Sequence, residues 1–331
     1  MRTTMADIAR ETGLTLGTVS RALATEGKYP IATETRGRVA EAALRLGYKP
    51  NLIGRALAGG SSGLILLVSP DPFAPYYVEI GRYLSRQAAQ HGYSFVAGGN
   101  LPEGDRITIP PNDWLYGVDG MVVCDCLPHQ EAYVAEALRL HIPVVGLGVR
   151  DPFPTDFVKV DLYPATRELM LHLADAGSRN PAMLSSPGAE PVDPRLRAYR
   201  EAVAATGSGE RFLIARNQSR AASRQAIFEG FREGAFDALF CENDLMAVGA
   251  LRAFTDLGVS VPERVLLAGC DGLDESQYQT VSITTIIQPL ESMCNMTWVM
   301  LQRRIEGDAG PARIERATAI LEVRTSTQRP R

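Results

Sequence analysis

Along residues 3–23 (TTMADIARETGLTLGTVSRAL) the apolar positions follow a helical period twice, with a break between the two runs. Met5, Ile8 and Ala9 share one face, Gly13 interrupts the pattern, and Val19, Ala22 and Leu23 resume it on a second helix. Thr4 stands three residues before Asp7, an acidic form of the capping box, and Thr15 is placed to accept from the first free N–H groups of the second helix. Gly13 lets the chain turn, and Leu14 fills the angle. A third helical stretch follows at roughly 34–46 (ETRGRVAEAALRL).

From residue 64 the texture changes to short apolar runs alternating with helical ones. Strands are predicted at 64–69, 93–99, 120–126 and 143–149, with helices at 76–91 and 130–140. A proline- and charge-rich stretch at 150–157 marks the expected exit from a first lobe. The alternation then restarts, with strands at 157–160, 182–186, 212–215, 238–241, 265–270 and 283–287. Helices at 164–176, 195–206, 220–233, 244–257 and 289–306 lie around them, and 319–327 closes the chain. The pattern predicts an α/β body with parallel sheets and right-handed crossovers, in two lobes of similar size behind an all-α head. A ligand is expected between the lobes, at the strand carboxyl ends.

The net charge of −4 argues against a nucleic-acid partner until the chain is split. Residues 1–60 hold nine Lys/Arg against five Asp/Glu, leaving 25 against 33 for the rest. A basic head on an acidic body fits DNA binding by one end only. No apolar run approaches the roughly 20 residues that span a bilayer, and no signal-peptide pattern opens the chain, so no membrane association and a cytoplasmic location are expected. The five cysteines are then expected as reduced thiols. Cys124 and Cys126 are the one close pair, at a poor spacing for zinc, and neither a metal site nor a cofactor is expected.

Two short helices across a tight turn form a helix-turn-helix, whose second helix enters the DNA major groove with its N-terminal residues at the base edges. Leu16, Gly17 and Arg21 are the candidate readers. Arg21 can grip guanine as a fork, Leu16 can meet a thymine methyl, and Gly17 offers no side chain. Thr4, Thr15, Thr18 and Ser20 are grouped with them, Thr18 and Ser20 as suited to phosphate oxygens.

The segments ADIARETGLTLGTVSRAL and ETRGRVAEAALRLGYKPN resemble the helix-turn-helix and third helix of the lactose-repressor (LacI/GalR) family of bacterial transcription regulators. FDALFCENDLMAVGALRAFTDLGVSVPERVLLAGCDGLDE, ITTIIQPLESM and LEVRTST extend the resemblance through the body. It implies a DNA-binding domain at 1–49, a hinge and linker at 50–60, and a two-lobed periplasmic-binding-protein-like effector and dimerisation domain at 61–331. The lobes are expected at 61–149 with 289–310, and at 150–288 with 311–331. By the same resemblance Asn51 and Leu57 belong to the DNA-binding hinge, Leu57 as a wedge in the minor groove. The hinge, 51–58, is too short for a stable isolated helix, and Gly54 weakens it further.

Arg195, Asn243 and Asp271 fall where the family holds its effector, with Asp125 from the first lobe. Arg offers a fork of donors, Asp accepts from adjacent hydroxyls and Asn does both, which suits a sugar or sugar derivative. Each has a plainer reading: Asn243 and Asp271 as local caps, Arg195 as a surface cation. Phe73 and Tyr76, with Tyr77, follow the first strand where an aromatic ring could stack on a ligand.

The expected function is sequence-specific regulation of transcription, as a repressor, by a homodimer on a palindromic operator under control of a small-molecule effector. An enzyme is not expected. Residues 59–63 satisfy G-x-S-x-G, but the nucleophile elbow runs from strand to helix and this segment runs from helix to strand. Two further readings stay open at this point: control by a protein partner, and a sugar-binding transport protein.

Overall fold

The computed structural model describes residues 3–23, 30–48, 61–97, 112–126, 130–149, 154–187, 193–231 and 235–329. The chain divides into two compact units, Met1–Ser62 and Gly63–Arg331.

In the first unit, α1 (Met5–Thr12), α2 (Leu16–Leu23) and α3 (Thr33–Arg45) enclose a small core of Ile8, Val19, Ala22, Val39, Ala42 and Ala43, with Leu14 packed against it in the turn. Gly13 ends α1 in the left-handed region, φ 67°, where a side chain is strained. So small a core needs its helix ends satisfied by side chains. The Arg36 guanidinium donates to the Ala22 carbonyl at 2.9 Å, Arg38 to Thr12 at 2.9 Å, and the Thr3 hydroxyl to Leu46 at 2.8 Å. Each satisfies a carbonyl at or just past a helix C-terminus, where intrahelical donors run out.

In the second unit, β1 (Leu64–Val68), β2 (Ser94–Ala97), β3 (Gly120–Cys124), β4 (Val144–Gly148), β5 (Asp156–Asp161) and β11 (Ile314–Thr318) form one parallel sheet, in the order β11-β5-β4-β3-β1-β2. A second sheet runs β12-β10-β9-β8-β6-β7, from β6 (Pro181–Ser185), β7 (Phe212–Ile214), β8 (Ala238–Cys241), β9 (Leu266–Asp271), β10 (Thr284–Ile287) and β12 (Ile320–Glu322); only β12 is antiparallel. Runs such as GMVVC and ALFC are apolar throughout because helices cover both faces of a parallel sheet. The covering helices are α4 (Pro75–Gln90), α5 (Glu131–Arg139), α6 (Tyr163–Asp175), α7 (Pro194–Thr206), α8 (Arg220–Gly230), α9 (Asp244–Asp256), the short α10 (Asp274–Gln277) and α11 (Leu290–Ile305). In each sheet the strand order reverses once, between β1 and β3 and between β6 and β8. Ligands of such sheets bind at that reversal, outside the strand carboxyl ends.

The structure moves two of the expected lobe boundaries. β5 lies parallel beside β4, and β11 beside β5, so 154–161 and 314–318 belong to the first sheet rather than to the second lobe. The chain crosses between sheets after Asp161, at Gln288–Pro289, and at Ala319. The chain therefore leaves the first lobe after Asp161 rather than at the expected exit of 150–157. Asp156 explains why both strands stay there. Its buried carboxylate accepts from Arg304 Nε and Nη2 at 2.9 and 2.8 Å and from the Arg313 backbone N–H at 2.8 Å, tying the start of β5 to α11 and to the approach to β11.

Breaking a buried ion pair from one side leaves the other charge stranded, so Asp156→Ala should lower stability by about 3 kcal/mol. Burial raises the Asp156 carboxyl, but the Arg304 and Arg313 contacts outweigh it and hold the group below the ordinary 3.8. A depressed folded-state pKa makes the contribution complete above that ordinary value and lost as pH falls below it. Denaturant melts should therefore show a wider gap between wild type and variant at about pH 7 than at about pH 3; an equal gap at both would contradict the assignment.

Candidate functional site

In the first unit the sequence places both caps correctly. The Asp7 carboxylate accepts from the Thr4 N–H at 2.9 Å and its hydroxyl at 2.8 Å, which, the backbone bond foremost, holds the carboxyl below its usual range. Thr15 Oγ1 accepts from the Thr18 N–H at 3.1 Å and lies 2.9 Å from the Thr18 hydroxyl. With Val19 and Ala22 turned into the core, α2 leaves Leu16, Gly17, Ser20 and Arg21 exposed side by side. Leu16, 53% exposed, contributes little to the core. Arg21 Nε donates to the Gly17 carbonyl at 3.1 Å, one turn back on the same helix, and the residue is exposed. Asn51 and Leu57, with the whole of the hinge, lie outside the described residues.

In the second unit the candidate ligand residues gather at the strand carboxyl ends. At the first lobe's reversal, Asp125 directly follows β3 in a left-handed conformation, φ 41°. Its Oδ1 accepts from the Val149 N–H at 2.9 Å and its Oδ2 from the Tyr77 hydroxyl at 3.3 Å. Gly148 makes this possible: a Cβ there would stand 2.2 Å from Asp125 Oδ1. At the second lobe's reversal, Asp193 caps α7 and holds Arg195, whose Nε and Nη2 donate to it at 3.1 and 2.7 Å. Arg195 Nη1 donates to the Glu242 carbonyl at 2.5 Å. Burial opposes charge on both partners of this pair, yet their attraction wins: Asp193 is lowered and Arg195 raised from ordinary values.

Between the lobes runs a chain of hydrogen bonds. The Tyr76 hydroxyl, on α4, donates to Gln288 Oε1 at 2.9 Å, and Gln288 Nε2 donates to Asp271 Oδ1 at 2.9 Å. Burial, then the charges of Asp125 and Asp271, push the Tyr76 phenol well up. Burial, then the neighbouring Asp244 charge, push the Asp271 carboxyl well above its usual range, although Arg195 and Gln288 work the other way. Asp244 itself is fully buried; its Oδ1 accepts from the Thr285 hydroxyl at 2.6 Å and its Oδ2 from the Leu273 N–H at 2.8 Å. Only glycine fits at 269, where a Cβ would stand 2.3 Å from Asp244 Oδ1.

The structure thus brings Tyr76, Asp125, Arg195 and Asp271 to one region. Asn243 lies next to it, but its Oδ1 accepts from the Met246 N–H at 2.8 Å, so the plainer capping role holds for that atom. Phe73 is 62% exposed. Sequence reasoning missed Glu242, whose Oε2 accepts from the Ser186 N–H and hydroxyl and whose Oε1 accepts from Gln218. It also missed Asp193, though Asp-Pro-Arg before an apolar helix is a legible capping signal, and Gln288, for which no local pattern exists. A separate groove of about 480 Å³, lined by Met170, Leu173, Ala202 and Thr206 among others, includes none of these residues.

A helix-turn-helix ahead of a two-lobed α/β body defines a DNA-binding transcriptional regulator. Residues 4–51 match the model of bacterial regulatory proteins of the lacI family, and residues 170–327 match that of the periplasmic binding protein-like domain. The chain thus joins a helix-turn-helix domain of the lacI family to a periplasmic-binding-protein-like domain. Among its relatives, the HTH-type transcriptional repressor CytR of Escherichia coli is 28% identical over 92% of this chain and 90% of its own. The HTH-type transcriptional regulator PtxS of Pseudomonas putida is 27% identical over 99% and 96%. Among solved structures, the lac repressor dimer bound to operator and the anti-inducer ONPF superposes with a TM-score of 0.79 at 24% identity, covering 99% of each chain. The complex of the regulator CelR with cellobiose gives 0.66 at 26%, covering 98% of this chain and all of the other. Among the described residues no helix is long and apolar enough to cross a membrane.

Burial raises the Asp244 carboxyl to about 6, despite hydrogen bonds from Thr285 and Leu273 that lower it. A raised folded-state pKa contributes stability that is complete below the ordinary value of 3.8 and lost as pH rises through about 6. Asp244→Asn cannot ionise. Between about pH 4 and pH 7 the wild type should lose up to about 3 kcal/mol relative to this variant in denaturant melts, and parallel profiles would contradict the assignment.

Proposed function

We propose that this regulator binds a palindromic operator as a homodimer, and that a small-molecule effector of the sugar class, bound between the lobes, sets its affinity for DNA. The observation that carries this reading is the network at the facing strand ends, where Tyr76, Gln288 and Asp271 join the lobes beside Arg195. A ligand competing for those hydrogen bonds binds two lobe arrangements with different affinity, which is the requirement for control. Relatives support the ligand class: CelR is solved with cellobiose, and a lacI-family regulator from Enterococcus faecium with ribose. The lac repressor is solved as a dimer on operator, and a two-fold protein matches the two halves of a palindrome.

On the DNA side, Arg21 reads a guanine, Leu16 meets a thymine methyl, and Thr18 and Ser20, with Thr4 and Thr15 at the helix starts, serve the backbone. Asn51 and Leu57 complete the contact from the hinge. The regulator acts by repression in this reading.

Arg21→Ala should cost about 1–3 kcal/mol on the cognate operator and relax the preference at one base per half-site. An equal loss on every sequence, measured by titration against a randomised half-site library, would make Arg21 a phosphate contact. On the ligand side, couplings of about 1–3 kcal/mol are typical, so saturating effector should move operator affinity roughly 5- to 150-fold. Asp271→Ala and Arg195→Ala should each abolish that change while leaving effector-free operator binding within about threefold. An effector response that survives both places the ligand elsewhere.

A further inference from the structure

Asp125 and Asp271 stand on opposite lobes, and a continuous run of side chains joins them. Asp125 Oδ2 accepts from the Tyr77 hydroxyl at 3.3 Å, and the Tyr77 ring meets that of Tyr76 edge-on with centroids 5.1 Å apart. The Tyr76 hydroxyl then reaches Asp271 through Gln288. Tyr76 and Gln288 are buried, so water screens little of what passes between the two acids. The groups around Asp271 fall into two sets. Asp244 from α9, Arg195 from α7 with its partners Asp193 and Glu242, and Cys270 on the same strand belong to the second lobe, and they stay beside Asp271 however the lobes stand. Asp125 and the Tyr76 and Tyr77 hydroxyls belong to the first lobe, and they are near only while the lobes are joined.

Joining therefore buries the Asp271 carboxyl and brings a second carboxylate towards it, and both changes act against its charge. The influence of Asp244 and Arg195 is present in either arrangement and cancels from the difference. We propose that joining the lobes takes up a proton from solvent on Asp271, so that the interlobe contact is a pH-sensitive switch that acid closes and alkali opens. Asp271 Oδ2 is the place for that proton: it accepts from no donor among the described residues, whereas Oδ1 is taken by Gln288. Burial, then Asp244, hold this carboxyl well above its usual range in the joined arrangement. A proton held more tightly in one arrangement favours it fully at low pH, and ceases to as pH rises through the raised value. Alkaline solution then frees the lobes without any ligand. That operator affinity follows the lobes rests on the effector reading above; the movement itself does not.

The experiment uses the full chain without DNA or ligand. Ala135→Cys on α5 and Ala204→Cys on α7 put one dye on each lobe at exposed positions, while the native cysteines are buried and label slowly. Single-molecule energy transfer in a doubly labelled chain, diluted among unlabelled copies, counts joined and parted arrangements from about pH 5 to about pH 9. The ratio of joined to parted should fall at least about tenfold over that range, as one charge contact of ordinary size requires. In Asp271→Asn, which nearly keeps the shape and cannot ionise, the ratio should stay level. In Asp125→Asn, which removes the first lobe's charge, the fall should shrink. A ratio that does not move in wild type overturns the inference, and so does a fall in Asp271→Asn as large as that of wild type. Should that variant fail to fold, an undiminished fall in Asp125→Asn overturns it equally. None of these outcomes touches the effector reading, which stands or falls with the operator titrations of Asp271→Ala and Arg195→Ala.

Discussion

The side chain of Gln288 hydrogen-bonds to both lobes. Gln288 lies where the chain crosses from β10 to α11, and its amide is spent in both directions, accepting from Tyr76 of the first lobe and donating to Asp271 of the second. A hydrogen bond of this kind is worth only about 1 kcal/mol net, yet leaving a buried partner unpaired costs more. The lobes are thus joined by an interaction strong enough to favour one arrangement and weak enough for a ligand to replace. A regulator needs that balance, because a ligand shifts an equilibrium only by its differential affinity for the two states.

The same construction recurs in each lobe around a carboxylate that the backbone has been shaped to admit. Asp125 requires glycine at 148, and Asp244 requires glycine at 269, in both cases because a Cβ would collide with a carboxylate oxygen. Both acids end or follow a strand near the sheet's reversal of order, where neighbouring helices diverge and side chains can reach the gap. Asp244 does not face the gap with a free oxygen; it fixes the turn after β9, and so positions Asp271.

Much of this architecture is legible in the sequence. Continuous apolar runs between helical patterns identify parallel strands because burial on both faces leaves no polar positions to confuse the period. The head is legible for another reason: Thr4 with Asp7, Gly13, and Thr15 are local signals whose partners lie within a few residues. The lobe boundaries were misjudged because the pairing of β5 with β4 and β11 is a long-range choice, enforced by an ion pair between Asp156 and Arg304, 148 residues apart. Arg195 and Asp271 could be placed by resemblance, but Glu242 and Gln288 owe their positions to partners 17 to 212 residues away. No window of sequence contains them.

Lobe arrangement is the intermediate between ligand and DNA, and Gln288 is where it can be cut without removing any charged group at the strand ends. The direct measurement is the ratio of operator Kd with and without saturating ligand, in wild type and in Gln288→Leu. The account predicts that the ratio falls towards one in the variant, whose ligand-free operator affinity moves towards that of the ligand-saturated wild type. A ratio that stays at its wild-type value would contradict it.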